Sequence, residues 1–192
     1  MKVGIFMGSK SDLDTVSAAF GILDEFGIEY EYNILSAHRT PAQVINKITE
    51  LEGKGAKVFI GAAGMAAHLS GVIAAHTHKP VLGIPLDGGT MGGMDSLLST
   101  VQMPKGVPVA TFAVGKSGAI NAAIFAVQIL SSSDSELAKK FDAYRRKMTD
   151  DVVEISQSFI CNKCGTELTI NRQSVVANEP PKHCKDPMEP LD

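Results

Sequence analysis

The chain has 192 residues, 44% of them hydrophobic, three cysteines and a formal net charge of −3. At about 100–200 residues per domain, that length holds one well-cored domain plus an appendage. The charge leaves no basic surplus for counterion release on a nucleic-acid backbone, and no apolar run reaches a leader's core or the roughly 18 residues of a membrane span, so the chain reads as cytoplasmic with neither nucleic acid nor membrane as partner.

Residues 2–7 read as a short apolar strand ending at Gly8, and Leu13, Val16, Phe20 and Leu23 then recur at helical spacing up to a stop at Gly27. Next, Ile28, Tyr30, Tyr32 and Ile34 alternate with Glu29, Glu31 and Asn33, the period of a strand over 28–35 with one buried face. Thr40-Pro41-Ala42-Gln43 predicts a helix start with Thr40 as N-cap and Pro41 at the first helical position, and Val44, Ile48 and Leu51 mark its inner face. A strand over 58–60 and an alanine-rich helix over 66–75 follow. After them come a strand over 81–84, a glycine-dense loop through Gly93 and a short helix over 94–101. A strand over 109–114 and a helix over 117–130 complete the rhythm. This alternation predicts a parallel sheet covered on both faces, and right-handed crossovers make a flavodoxin-like three-layer α/β/α sandwich the economical topology.

Residues 131–159 predict one long helix with Leu137, Phe141, Tyr144, Met148, Val152, Ile155 and Phe159 on a single stripe. So small a sheet does not need so long a helix, which points to packing on another subunit, with wrapping around the same one as the alternative. Ser117, Gly118, Ala119, Ala122, Ala123 and Ala126 would allow the close helix approach that suits such an assembly. The expected division is a catalytic domain over 1–157 and a cysteine-containing tail over 158–192. An odd number of cysteines makes no disulfide framework. Instead, Cys161-Asn162-Lys163-Cys164-Gly165 resembles half of a zinc knuckle, with Cys184, and His183 beside it, offered as a third and a fourth ligand. Adjacent His183 and Cys184 are not expected both to reach one ion, and the rival reading is a partly ordered tail with reduced thiols. Pro180, Pro181, Pro187 and Pro190 predict no regular structure in the last dozen residues.

The chemistry-bearing residues gather where strands hand over to helices, the ligand side of an open parallel sheet. Ser36-Ala37-His38-Arg39 places an imidazole, able to give and take a proton near neutrality, beside a guanidinium fork suited to phosphate or carboxylate. Gly8-Ser9-Lys10-Ser11-Asp12 brings backbone N–H groups and hydroxyls to a helix start, a ready anion site, although Ser11 or Asp12 as a simple helix cap explains the same residues. Neither a dinucleotide fingerprint nor a Walker loop is present. Gly64-Met65-Ala66-Ala67-His68-Leu69 lets backbone approach a ligand closely, with His68 as a hydrogen-bonding group near a helix start. Asp87 to Asp95 is placed to close over a substrate, whereas His76 and His78 suit a surface turn at the opposite edge.

Five separated segments, 7–12, 36–41, 64–71, 95–104 and 115–130, together resemble the PurE family of purine-pathway enzymes: the N5-carboxyaminoimidazole ribonucleotide mutases and the related aminoimidazole ribonucleotide carboxylases. The resemblance implies His38 as the catalytic acid/base and Ser9, Asp12 and Arg39 at the 5′-phosphate end of the nucleotide. It implies His68 as a positioning group, within a substrate-binding set that also includes Gly8, Ser11, Ser36, Ala37, Gly64 and Leu69. The third loop departs from the usual pattern at Ala63, Met65 and Ser70, with the histidine spacing kept. Arg39-Thr40-Pro41 and Ala66-Ala67-His68-Leu69 look like the mutase class rather than the carboxylase that uses free CO2. The resemblance further implies a homo-octamer, aminoimidazole ribonucleotides and CO2 as the small molecules handled, and no cofactor for catalysis. A non-catalytic nucleotide-binding module of the same fold is the alternative from another class.

Overall fold

The computed structural model describes residues 3–171 and 180–191, with 153–157 and 171 described by backbone alone. Lys2, expected to open the first strand, lies outside the described residues. The chain divides into two compact units, 1–141 and 142–192, so the division falls inside the last helix, whereas the sequence suggests a boundary after 157.

In the first unit, Val3–Met7 (β1), Val58–Gly64 (β3) and Val81–Leu86 (β4) are continuous apolar runs, and they are buried through nearly all their length. Such runs need cover on both faces, which is what parallel strands with helical crossovers receive. Tyr30–Ile34 (β2) and Ala110–Thr111 (β5) complete a sheet of order β2-β1-β3-β4-β5. Every pairing in it is parallel. The order reverses direction at β1, so the loops after β1 and β3 part there and leave a crevice at the carboxyl ends of the strands. The fold is the flavodoxin-like α/β sandwich.

Leu13–Phe26 (α1) packs against Lys116–Ser131 (α5) on one side of the sheet. On the other side Pro41–Gly53 (α2) and Leu69–Ala75 (α3) supply Val44, Ile48, Leu51, Leu69 and Ile73 to a core shared with Phe6 and Phe59. Met94–Val101 (α4) lies beside β4. Outside the core, Lys47 on α2 and Lys54 at its C-cap bridge Glu50 on the same helix and Glu31 on β2, at 2.5–3.5 Å. Hydrogen bonds from Lys47 and then Lys54 hold the Glu50 carboxyl down to about 2.

Locally the structure differs from the sequence pattern. β2 is shorter than 28–35, and its apolar face is not fully covered: Tyr32 is 48% and Ile34 41% exposed. It is an edge strand, and Phe20 of α1 stacks on Tyr30 and Tyr32, at 5.1 and 5.2 Å. α3 starts at Leu69 rather than 66, because the N–H groups of Ala67 and His68 go to the carbonyls of Met65 and Ala66 in tight turns. β5 is two residues long, although Phe112 and Gly115 still donate to Gly83 and Pro85 of β4. The small residues of α5 do not wait for a partner subunit: Ala119, Ala122, Ala123 and Ala126 are fully buried within this chain.

The last helix is Ser135–Ile155 (α6), shorter than the 131–159 its stripe predicts. Its stripe begins as expected, with Leu137 buried, but Phe159 lies beyond the helix on Ser156–Ile160 (β6). The side chain of Ile155 lies outside the described residues. In the second unit β6 pairs antiparallel with Glu167–Asn171 (β7) and with Glu189–Pro190 (β10). Lys182–His183 (β8) and Asp186–Pro187 (β9) form a small hairpin. The proline-rich end therefore has short strands, because Pro187 and Pro190 occupy strand ends where a missing donor is tolerated.

Candidate active site

The loops that follow β1, β2, β3 and β4 surround a cavity of about 630 Å³ at the carboxyl end of the sheet. Gly8, Ser9, Ser11, Asp12, Ser36, Ala37, His38, Arg39, Gly64, His68 and Leu69 all line it. The crossovers bring these residues together from three separate parts of the chain. Thr15, Ala66, Leu86, Asp87 and Gly88 also line it. Thr15 and Leu86 were not foreseen, since a threonine one turn into a helix and a leucine at a strand end carry no chemical signature.

The first loop is ordered by its own side chains. Ser9 caps the single 3-10 turn over Lys10–Asp12, accepting from the Ser11 N–H, while the Ser9 N–H donates to Asp12 Oδ2 at 2.9 Å. The Ser11 hydroxyl donates to Ser9 Oγ at 2.9 Å and lies 3.3 Å from Asp12 Oδ1. This reciprocal capping box belongs to the 3-10 turn; Asp12 stands at the N-cap of α1, but its side chain makes no capping bond to that helix. The loop faces the N-terminal end of α1 toward the cavity, where the helix dipole favours an anion.

The second loop closes on itself by a different bond from the one its sequence suggests. Thr40 stands at the N-cap of α2, but its side chain makes no capping bond. Instead its hydroxyl donates to the Ser36 carbonyl at 3.0 Å and accepts from the Ser36 N–H at 2.9 Å. Thr40 thus pins both ends of the segment that carries His38 and Arg39. Arg39 reaches across to the first loop and donates from Nη2 to the Gly8 carbonyl at 2.8 Å. The guanidinium has five N–H donors in a fixed fork, so anchoring one of them sets the direction of the others.

His38 Nε2 lies 2.8 Å from His68 Nδ1, with the ring planes at 80°. Two imidazoles so placed hold one proton between those two nitrogens, one donating and the other accepting. Both rings are exposed to the cavity, so a bound molecule can reach them. His68 owes its place to Ser99 of α4, whose Oγ accepts from the Ala67 N–H at 3.0 Å and lies 3.2 Å from the Met65 carbonyl. Met65 adopts φ 54°, in the left-handed region that glycine takes most readily. On the far side, Ser96 is fully buried and donates to the Leu86 and Gly93 carbonyls at 2.7 and 2.9 Å, closing the base of the loop over 87–93. Gly89, Gly92 and Gly93 in that loop all have positive φ.

His76 and His78 lie away from this cavity in a separate hollow, and His76 Nδ1 is 2.8 Å from the Val72 carbonyl, as a turn histidine would be. Among the described residues, the one group of side chains able to hold a metal ion is in the tail: Cys161, Cys164, His183 and Cys184. Adjacency to Cys184 counts against His183 as a ligand of the same ion. The two-residue turn of the β8–β9 hairpin brings it in.

The AIR carboxylase family model matches residues 2–151. N5-carboxyaminoimidazole ribonucleotide mutase of Vibrio parahaemolyticus is 50% identical over 80% of this chain and 95% of that protein. The enzymes of that name from Bacillus subtilis and Escherichia coli are 49% and 46% identical, over 82% and 80% of this chain and 98% and 90% of theirs. The solved structure of Treponema denticola PurE superposes with a TM-score of 0.73 at 31% identity, over 79% of this chain and 94% of that one.

Proposed function

This chain belongs to the AIR carboxylase family, and we infer that the cavity at its strand ends performs the mutase reaction of purine biosynthesis. The enzyme is an isomerase that interconverts N5-carboxyaminoimidazole ribonucleotide and its 4-carboxy isomer. The observation that carries the reading at this site is the contact of 2.8 Å between His38 and His68, beside a loop able to take an anion. Ser9, Asp12 and Arg39 hold the 5′-phosphate end, and Gly8, Ser11, Ser36, Ala37, Gly64 and Leu69 shape the rest of the substrate's bed.

The proton ledger closes on one residue. His38 as imidazolium gives its proton to the carbamate nitrogen, the nitrogen–carboxyl bond breaks, and CO2 is released into the cavity. The electron-rich ring carbon then attacks CO2, forming the carbon–carboxyl bond, and neutral His38 takes the proton that this carbon loses. Acid in one half and base in the other, His38 ends as it began. His68 directs the imidazole toward the reacting atoms. Confinement makes recapture of CO2 effectively unimolecular, and the glycine-rich loop over 87–93 supplies it by closing over the substrate. The reaction on this account requires no cofactor.

We further propose a cytoplasmic homo-octamer that binds neither nucleic acid nor membrane. Among the described residues, no helix is long and apolar enough to cross a membrane. Met94, Leu98 and Val101 recur on one exposed face of α4, and Phe125 of α5 is also exposed, an apolar surface suited to contact with another copy. Light scattering on the purified protein gives the subunit number directly, and a monomer would defeat that part of the reading.

The deciding experiment supplies N5-carboxyaminoimidazole ribonucleotide in a buffer containing isotopically labelled bicarbonate. Conversion with little label in the product is the expected result. Product formed only from aminoimidazole ribonucleotide and CO2 would replace the mutase with a carboxylase.

A further inference from the structure

The tail brings together side chains that the mutase reaction does not use. β6 and β7 are joined by residues 161–166, which fold as a knuckle. The Cys164 and Gly165 N–H groups both donate to the Cys161 carbonyl, at 3.3 and 2.8 Å, and the Cys161 N–H donates to Thr166 at 2.9 Å. Gly165 takes φ 72°, which lets the chain reverse immediately after the second cysteine. Cys161 is buried and Cys164 exposed, so the pair presents two sulfurs at one corner.

The opposite arm is the β8–β9 hairpin, whose two turn residues are Cys184 and Lys185 at φ 50° and 69°. Positive φ at both positions is a turn that asparagine and glycine ordinarily fill. Two ordinary side chains hold such a conformation when their surroundings impose it. The turn brings Cys184 Sγ to 3.4 Å from Nδ1 of its own neighbour His183, and to 3.7 Å from Cys164 Sγ. His183 Nδ1 is also 3.3 Å from Cys164 Sγ. The four donor atoms all lie within 4.8 Å of one another. Zinc with bonds of about 2.3 Å to sulfur spaces its ligands by about 3.7 Å along a tetrahedral edge, and Cys3His is one of its structural donor sets.

The packing of this unit gives a reason for an ion. Among the described residues its buried core comprises Phe159, Cys161 and Met188, with Ile170 packed against it. Small domains of this kind commonly rely on a metal or disulfides. The backbone is arranged to close such a site: Leu191 donates to the Ser158 carbonyl and Met188 to that of Pro181, both at 2.8 Å. Lys163 of the knuckle pairs with Asp186 of the hairpin at 2.5 Å. We propose that Cys161, Cys164, His183 and Cys184 bind one structural zinc ion that holds the second unit in its fold.

The test uses the full chain, purified without a metal-affinity step, and measures metal by elemental analysis and native mass spectrometry. One zinc per chain is expected, with thiols that react slowly until a chelator is added. Cobalt exchanged into the chelator-treated protein should give the sulfur-to-cobalt charge-transfer band of a thiolate site. Cys164→Ser and His183→Ala should each lower zinc affinity by tenfold or more, with mutase turnover retained as evidence that the first unit is folded. Well under one zinc per chain, with three freely reacting thiols or a Cys164–Cys184 disulfide by mass, would overturn the proposal, as would full zinc retention in both variants.

Discussion

His38 Nε2 and His68 Nδ1, thirty residues apart in the chain on the loops that follow β2 and β3, stand 2.8 Å from each other. That contact couples the group proposed to move the proton to the group proposed to aim it. Asparagine at 38 keeps hydrogen-bonding capacity without a titrating nitrogen, so His38→Asn should lower kcat by about 10²–10⁴-fold, the usual range for a lost acid/base. Nucleotide affinity, read by calorimetry with the 4-carboxy product, should hold. Near-native turnover would remove His38 from its role.

Replacing His68 by alanine takes away an orienting partner but leaves the titrating ring. Its kcat should fall by about 10-fold, less than for His38→Asn, since a misplaced reacting group costs rate even when the chemistry is intact. Single-turnover kinetics separate the two: a loss as large as that of His38→Asn would make His68 a direct participant.

Arg39 is anchored through Nη2 to the Gly8 carbonyl, which aims its fork across the first loop. Arg39→Lys keeps the charge and loses the fork. A hydrogen bond to a charged group is worth about 1.5–3 kcal/mol, so KM should rise by about 10–100-fold while kcat changes much less. Steady-state kinetics would show the opposite split if Arg39 touched the reacting atoms instead.

The Ala67 N–H donates to Ser99 Oγ, inside the turn that delivers His68. Ser99→Ala leaves that donor without its acceptor, at a cost of about 1–3 kcal/mol. Thermal denaturation should show the loss, and kcat should drop with it. An unchanged kcat would mean that the third loop keeps its shape without α4.

Gly118 lies in the first turn of α5, and a Cβ there would stand 1.7 Å from the Ala113 carbonyl oxygen. Gly118→Ala must push the helix off that backbone, and overpacking of this kind costs about 1–3 kcal/mol. Gly21→Ala on α1 meets nothing within 4 Å and is the control. Equal melting temperatures for the two variants would contradict the packing described.

The Glu50 carboxyl is lowered from 4.5 to about 2 by its lysine partners. A depressed folded-state value favours folding above the unfolded value and stops doing so as pH falls through the folded one. Urea midpoints of Glu50→Gln should therefore lie below those of the parent at neutral pH. The gap should close as pH falls from 4.5 toward 2, the two values that bound the effect. A gap independent of pH would point to lost packing rather than charge.

The order of strands and helices, the loops that carry His38, Arg39 and His68, and the cysteine knuckle were legible in the chain. Periodicity, turn residues and donor chemistry are properties of a few consecutive residues. The exposed face of β2 was not, because Tyr30, Tyr32 and Ile34 alternate as a buried face would, and only the strand's place at the sheet edge leaves them half covered. Thr40 illustrates the same limit: Thr40-Pro41 signals a cap, yet its hydroxyl goes back to Ser36, a choice made by the geometry of the closed loop.

By itself, then, the sequence determined the parallel α/β architecture and which short segments bear chemistry, since local pattern decides which face of each element must be buried. Tertiary structure alone decided that His38 meets His68, that Ser99 props the third loop, that the alanines of α5 are consumed inside the subunit, and that His183 joins three cysteines. Each of these depends on elements distant in the chain or on the exact sense of a turn, and neither is written in the spacing of neighbouring residues.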